Sequence, residues 1–159
     1  LQLGQNKIAV FPSDIMCMLS ELRELQLYKN KITEVPPEIG NLVQLERLSL
    51  ASNNIKSVPE EIGTCTALKE LYLSNNAKFN SLPGSAGHLR FLQELIIRKC
   101  PALKQLPSTI DELSSLKELD IRAAKKQVCK ITPEVNDALK KLGAVVRGGV
   151  VKKGKKGKK

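Results

Sequence analysis

The chain repeats one pattern of leucines every 23 or 24 residues. The template reads L-x-x-L-x-L-x-x-N/C, and its copies occupy residues 22–30, 45–53, 68–76, 92–100 and 116–124. One leucine opens the L-x-L part of each copy, and a partial copy precedes them: Leu1, Leu25, Leu48, Leu71, Leu95 and Leu119. Such regular spacing does not arise by chance. The chain is therefore predicted to be an array of repeated coils.

The L-x-L part of each copy has the alternation of a short β-strand. Leu25 and Leu27 should point to one side of the chain, and Gln26 and Tyr28 to the other. Stacked copies would then form a parallel sheet, with the leucines buried between neighbouring coils. An apolar residue and a proline follow each copy, as in Val35-Pro36, and proline cannot continue a strand ladder. The pattern predicts an α/β solenoid, a horseshoe with a concave parallel sheet and short helical or 3-10 turns on its convex side.

A polar position ends each strand and is expected to bond the backbones of neighbouring coils. It holds, in chain order, Asn6, Asn30, Asn53 and Asn76. Cys100 takes this position in the next copy and is interpreted as a structural thiol, because free cysteines are usually buried. Cys65 occupies a convex leucine position and is predicted to lie in the core for the same reason.

Two copies carry one extra residue between the Asn/Cys position and the following Leu-Pro step. In these copies Phe79 and Leu103 are predicted to fill the pocket that Ile32 and Ile55 fill in the shorter ones.

The organisation is expected to change near the end of the chain. Residues 1–124 are assigned to the repeats, the first of which is truncated, so the chain looks like a fragment. Residues 125–147 should form a C-terminal cap, because a terminal coil has no neighbour on its outer face. Thr132 suits a helix N-cap and Pro133 the first helical position, and Gly143 suits the residue after the helix. One helical face would hold Val135, Ala138, Leu139 and Leu142, and residues 144–147 would form a last strand.

The basic charge of the chain is confined to this C-terminal part. Residues 1–124 hold 14 basic and 14 acidic side chains, whereas residues 125–159 carry the whole net charge of +10. Residues 148–159 are predicted to form a flexible tail, because its lysines repel each other. These lysines are Lys152, Lys153, Lys155, Lys156, Lys158 and Lys159. They could contact nucleic acid, another acidic surface or an anionic membrane, or serve only solubility or targeting.

Several classes of function are not expected. No apolar run reaches the 18 residues that suggest a transmembrane helix. The four cysteines are scattered without a C-x-x-C pair, which favours a reduced, cytoplasmic location. His88 is the only histidine, and neither a nucleophile with its base nor a metal-ligand or phosphate-loop spacing is present. The chain is predicted not to be an enzyme and to use no cofactor or metal.

The segments 32–42 (ITEVPPEIGNL) and 55–63 (IKSVPEEIG) resemble those of intracellular leucine-rich-repeat proteins. They look most like the Ras-suppressor and plant intracellular Ras-group-related class. This resemblance covers about residues 1–124, with Ala86, Cys100 and Ala124 as departures. It implies a leucine-rich-repeat solenoid that binds a protein partner on its concave face or along one edge and carries no catalytic residues.

The repeat register also names the residues of the concave face. The candidate binding residues are Glu24, Gln26, Tyr28, Arg47, Ser49, Glu70, Tyr72, Ser74, Glu94, Ile96, Arg98, Asp120 and Arg122. Tyr28, Tyr72 and Ile96 are expected to be exposed and, with Arg98, to anchor a partner, since Tyr and Arg are favoured at interfaces. The alternative is a solvated sheet whose charges pair across strands.

Three functions are compatible with these features. The first is a non-catalytic protein-interaction scaffold or regulatory subunit in signalling, a monomer or part of a larger complex. The second is a structural component of a large acidic assembly, such as a ribonucleoprotein or a microtubule lattice, tethered by the lysine tail. The third is an accessory repeat module of a larger regulatory protein.

Overall fold

A computed structural model of the chain describes residues 1–16, 18–123 and 129–151. The described part contains eight strands, β1 to β8, and two α-helices. The strands are β1 Glu24–Gln26, β2 Arg47–Ser49, β3 Glu70–Tyr72, β4 Glu94–Ile96, β5 Glu118–Asp120, β6 Lys130–Ile131, β7 Val145–Arg147 and β8 Val150–Val151. The helices are α1 Ser13–Met16 and α2 Pro133–Lys141. Strands β1 to β5 and β7 form one parallel sheet.

The strand leucines are aligned from coil to coil. Leu25 lies opposite Leu48, and the same column continues through Leu71, Leu95 and Leu119 to Val146. The bridge between Gln2 and Gln26 places Leu1 at the start of this column. All the leucines of the column from Leu25 onward are completely buried. The predicted solenoid with its parallel sheet is therefore confirmed.

In the described residues the convex side carries four 3-10 helices of five residues each, with α1 and α2 packed at their two ends. The 3-10 helices span Pro37–Asn41, Glu60–Thr64, Gly84–His88 and Ser108–Glu112. An extended proline precedes each one, at positions 36, 59, 83 and 107. Because proline supplies no N–H to a ladder, it separates the strand part of each coil from its return turn. The predicted short convex turns are thus confirmed.

A ladder of asparagine side chains joins the coils. The Asn53 side chain donates to the carbonyls of Leu27 and Leu50 and accepts from the amide of Ile32. Asn30 and Asn76 repeat this arrangement one coil earlier and one coil later. All three are buried, so these bonds satisfy backbone groups that water cannot reach. The asparagine ladder predicted from the repeat is confirmed.

The ladder changes character at its two ends. The Cys100 thiol donates to the carbonyl of Leu73 at 3.3 Å, and burial raises its pKa. It is a buried structural group, as predicted. Cys65 is also buried, donates to the carbonyl of Ile39, and has its pKa raised to about 12 by burial. Asn6 bonds only within its own coil, to the carbonyls of Leu3 and Gly4.

The extra residue of the longer copies is accommodated without loss of core packing. Phe79 is completely buried and Leu103 nearly so, and both belong to the same hydrophobic core as Ile32 and Ile55. The amides of Phe79 and Leu103 each bond to the carbonyl three residues earlier, at Asn76 and Cys100. A tight turn therefore takes up the added length and leaves both side chains facing inward.

A column of glycines allows the convex turns to approach each other closely. A Cβ atom on Gly87 would lie 2.6 Å from the carbonyl oxygen and 2.8 Å from the Cβ of Thr109 in the next coil. Gly63 meets Ser85 in the same way, with its nearest contact at 2.7 Å. Because these neighbours are backbone atoms and short side chains, they cannot swing aside. Glycine is therefore required where one turn stacks on the next.

The first prediction follows from this column. Gly87→Ala is expected to destabilise the protein by about 1–3 kcal/mol, because the added methyl overpacks the contact with Thr109. Gly84→Ala in the same turn is the matched control, since its Cβ would meet nothing within 4 Å. It is expected to be neutral or stabilising by up to about 1 kcal/mol. Urea unfolding followed by circular dichroism measures both, and equal midpoints would contradict the packing argument.

The C-terminal elements complete the array. Thr132 caps α2 by accepting from the amide of Val135, and Gly143 follows the helix with a φ of +71°. Helix α2 contacts the last 3-10 helix, with Val135 and Leu139 buried. Leu142 was expected on the same buried face, but it is 41% exposed. It follows the last residue of α2, so it caps the helix instead of packing beneath it.

The boundary of the predicted flexible tail was wrong. Residues 148–151 belong to the fold, because β8 pairs in parallel with β6 in a separate two-stranded sheet. Gly148 and Gly149 have φ values of +84° and +85°, a conformation that glycine adopts without strain. A Cβ on Gly148 would lie 2.8 Å from the backbone of Arg122, so the chain turns here in close contact with the preceding coil. The predictions for Ala124, for the cap residues 125–128 and for the tail lysines at 152–159 lie outside the described residues.

Candidate functional site

Strand alternation presents three rows of side chains on the concave face. The carboxylate row precedes the buried leucines and consists of Glu24, Arg47, Glu70, Glu94 and Glu118. The central row follows them and consists of Gln26, Ser49, Tyr72, Ile96 and Asp120. The rim row lies two residues further along each coil and consists of Tyr28, Ala51, Ser74, Arg98 and Arg122. All the candidate binding residues named from the sequence lie in these rows.

Opposite charges alternate at the start of the carboxylate row. Arg47 donates two hydrogen bonds of 2.6 Å to the carboxylate of Glu70 and lies 3.4 Å from Glu24. The bond from Arg47 is the main cause that holds the pKa of Glu70 below its usual value. At the other end Arg147 of β7 pairs with Glu118 at 3.0 Å. Both ends of the carboxylate row therefore have the cross-strand charge pairing that the sequence left open as an alternative.

Tyr72 is fixed at the centre of the face by its hydroxyl group. The hydroxyl oxygen lies 2.7 Å from a carboxylate oxygen of Glu70 and 2.8 Å from one of Glu94. Burial and these two carboxylates raise the pKa of Tyr72, so the hydroxyl keeps its proton. The ring is half-buried. It therefore offers a partner a rigid aromatic surface instead of a mobile side chain.

Tyr28 lies on the same face, in the first complete coil. Its ring lies directly over Gly4 of the preceding coil, where a Cβ atom would collide with it. The side-chain amide of Gln5 lies 3.4 Å from its hydroxyl group. Like Tyr72, Tyr28 is half-buried and held from more than one side.

The expected exposure of Ile96 was wrong. Ile96 is only 8% exposed, because it lies between Tyr72 and Asp120 on the neighbouring strands. Ser49 and Ser74 are buried as well. These residues form the floor of the face, and the tyrosines and arginines form its contactable surface.

Asp120 anchors two arginines at the C-terminal end of the face. Its carboxylate accepts hydrogen bonds of 3.0 and 2.7 Å from Arg122 and lies 3.7 Å from Arg98. Burial by itself would raise the pKa of Asp120, but the bonds from Arg122 hold it below the usual value. The carboxylate is therefore charged, although the side chain is only 2% exposed. The sequence placed Asp120 on the face but did not identify it as an anchor, although its spacing to Arg122 puts both on one side of the strand.

Two neighbouring concavities lie on this face. A groove of about 460 Å³ runs along it, with Tyr28 and Tyr72 among its lining residues. A second concavity of about 380 Å³ is lined by Asn75, Arg98, Lys99, Arg122 and Ala123. The lysine at position 99 was not among the candidate binding residues, although the repeat register places it next to Arg98.

A further concavity, of about 530 Å³, lies along one edge of the solenoid. It is lined by Val35, Pro36 and Pro37 together with Val10, which is 80% exposed. This concavity was not predicted from the sequence, because Val10 belongs to an incomplete copy whose register gives no outward position.

Neither a membrane span nor a metal site is found in the described residues. No helix there is long and apolar enough to cross a membrane. No group of three or more His, Cys, Asp or Glu side chains in residues 1–16, 18–123 and 129–151 is arranged to hold a metal ion. His88 is exposed on a convex turn, away from the concave rows.

The coil stacking, the asparagine ladder and the concave parallel sheet define a leucine-rich-repeat solenoid. The profile of Leucine Rich repeats (2 copies) matches residues 20–59 and 43–87. The chain therefore has the leucine-rich-repeat fold, and its matched segment is similar to leucine-rich-repeat proteins. Domains of this family generally mediate protein–protein interactions and are typically non-catalytic.

One similar solved structure is that of a leucine-rich-repeat protein of Leptospira interrogans. It is 30% identical in sequence, with a TM-score of 0.61, and the alignment covers 92% of this chain and 42% of that one. This chain therefore spans less than half of that protein. No curated protein sequence matches this chain. The narrower Ras-suppressor or plant intracellular Ras-group-related class stays a prediction.

Proposed function

We propose that this protein is a non-catalytic interaction scaffold or regulatory subunit whose protein partner binds the concave face. The observation that carries the proposal is the groove of about 460 Å³ with two tyrosines fixed along it. Tyrosine gives a large contact area and loses little conformational entropy on binding, most of all when it is already held in place. Tyr28 and Tyr72 are both held by neighbouring coils.

The free cysteines support a reducing, cytoplasmic location for this function. Cys65, Cys100 and Cys129 are buried as free thiols, and burial raises the pKa of Cys129 to about 11. Thiols in this state persist where the surroundings keep them reduced.

The test is affinity capture from a cell extract with the full chain as bait. We expect Tyr28→Ala combined with Tyr72→Ala to weaken capture of the specific partner about tenfold or more, as for interface anchors. Phe91→Ala is the matched control, since its ring is 62% exposed but lies outside the concave rows. Quantitative mass spectrometry compares what each bait retains.

A further bait tests the alternative of an acidic assembly held by the tail. In it the six tail lysines, from Lys152 to Lys159, are replaced by glutamine. If this bait alone loses the partner and the double tyrosine variant keeps it, the concave face is not the binding site. The same conclusion follows if Phe91→Ala reduces capture as much as the double tyrosine variant does.

A further inference from the structure

Charges of opposite sign alternate in the first coils of the concave face, whereas cations predominate in its last ones. Arg47 lies between two carboxylates, those of Glu24 and Glu70. At the other end three cations, Arg98, Lys99 and Arg122, line the second concavity, and the carboxylate of Asp120 pairs with the two arginines. We call these three residues the basic cluster. With Asp120 included, the cluster has an excess of two positive charges.

The other carboxylates of these coils do not cancel this excess. Glu118 already pairs with Arg147 at 3.0 Å. Glu94 accepts a hydrogen bond of 2.8 Å from the Tyr72 hydroxyl, and in the described residues it forms no ion pair with the cluster. The cluster therefore acts as a separate positive site at one end of the groove.

The two arginines of the cluster keep hydrogen-bond donors available for a ligand. Arg122 uses its Nε and Nη2 groups on Asp120, which leaves Nη1 available. Arg98 makes only a longer contact of 3.7 Å with the same carboxylate. Both side chains are 51% exposed, and they belong to adjacent coils, whose strands are about 4.8 Å apart. Both guanidinium groups thus line the concavity, and that of Arg122 is already held in place by Asp120.

We propose that the basic cluster binds side-chain carboxylates of an acidic segment in the protein partner, which enters the groove beside it. This inference rests on the proposed function, because it assigns a chemistry to one end of the same face. The planar guanidinium group matches a carboxylate with two parallel hydrogen bonds. A peptide can place its acidic side chains over the cluster and neutral ones over Tyr72.

The lining of the groove favours a peptide over a nucleic acid. Glu94 and Glu118 line the groove together with the tyrosines. A nucleic-acid strand carries a negative charge at every nucleotide, so one that lay along the groove would meet these two carboxylates as well as the arginines. A short acidic segment avoids this repulsion, because its charges can be confined to the cluster.

The experiment measures binding of a labelled seven-residue peptide, Ser-Gly-Glu-Glu-Glu-Gly-Ser, to the full chain by fluorescence anisotropy. The comparison ligands are the same peptide with glutamine for glutamate, one with a single phosphoserine at its centre, and a ten-nucleotide single strand. We expect the glutamate peptide to bind and the glutamine peptide not to bind. The glutamate affinity should also fall as salt is raised.

The decisive variant is Arg98→Gln combined with Lys99→Gln. It removes two cations but keeps the Asp120–Arg122 pair, so the buried carboxylate stays partnered. We expect it to weaken binding of the glutamate peptide about tenfold or more. Arg23→Gln combined with Arg90→Gln is the matched control, because it removes the same charge from exposed arginines outside the concave rows. It should bind as the unaltered chain does, as should the chain with glutamine in place of its tail lysines.

Other results would overturn the assignment. Equal weakening by the two double variants would mean that the peptide responds to net charge alone. Loss of binding only on substitution of the tail lysines would place the peptide on the tail. Three further results would reject a carboxylate ligand. The glutamine peptide could bind, or the phosphoserine peptide could bind while the glutamate peptide does not. The oligonucleotide could also bind more tightly than the glutamate peptide, through Arg98 and Lys99. If the basic cluster does not bind the glutamate peptide but capture of the partner still depends on Tyr28 and Tyr72, the proposed function still holds.

Discussion

Replacing Phe79 with alanine is expected to lower the free energy of unfolding by about 3–5 kcal/mol. Phe79 heads the largest side chains that are completely buried in the described residues. It fills the space between adjacent coils of a core made mostly of aliphatic side chains. Deleting the ring removes its burial and leaves a cavity, because the leucines on either side are fixed by the strand register.

Phe91→Ala is the control for this prediction, since it deletes the same ring from a side chain that is 62% exposed. Its effect should stay within about 0.5 kcal/mol. Urea titration followed by circular dichroism gives both values. Similar midpoints for the two variants would show that Phe79 is not a core element of the array.

Asn53→Ala is expected to cost about 2–4 kcal/mol, because it leaves several buried backbone groups without partners. The groups are the amide of Ile32, which lies 3.0 Å from the side-chain oxygen, and the carbonyls of Leu27 and Leu50. Alanine cannot replace these bonds, and Asn53 is buried, so water does not reach the site. Besides lowering the global free energy of unfolding, the substitution should loosen the contact between two adjacent coils, because the three groups belong to these coils.

Asn54→Ala provides the comparison at the adjacent position. Asn54 is exposed, and its backbone amide keeps its bond to the carbonyl of Ile32 when the side chain is shortened. Hydrogen exchange resolved by residue should show faster exchange of the Ile32 amide in Asn53→Ala and no change in Asn54→Ala. An unchanged Ile32 amide in Asn53→Ala would contradict the ladder as a source of stability.

The sequence was sufficient for those parts of the fold that recur in every coil. The leucine spacing predicted the sheet, its register and the side from which Tyr28 and Tyr72 project. The polar position at the end of each strand predicted the ladder. Each of these features depends on a residue type that several copies share, so the pattern itself carries the information.

Features that occur once were not predictable in the same way. Whether Ile96 is exposed depends on the size of Tyr72 and Asp120, which lie about one repeat before and after it. The pairing of β6 with β8 joins two-residue strands that lie about twenty residues apart and have no periodicity to reveal them. The anchoring of Arg98 and Arg122 by one buried carboxylate requires side chains from two coils, so it emerged only from the structure.

The asparagine ladder has a direction. The side chain of Asn30 reaches back to the amide of Ile8 and the carbonyl of Leu3, and Asn53 and Asn76 reach back in the same sense. During synthesis the earlier coil leaves the ribosome first, and protein domains commonly begin to fold in that order. Each newly emerging coil then contains the asparagine whose side chain bonds it to the coil that is already formed. The array can therefore lengthen in the order in which it is translated.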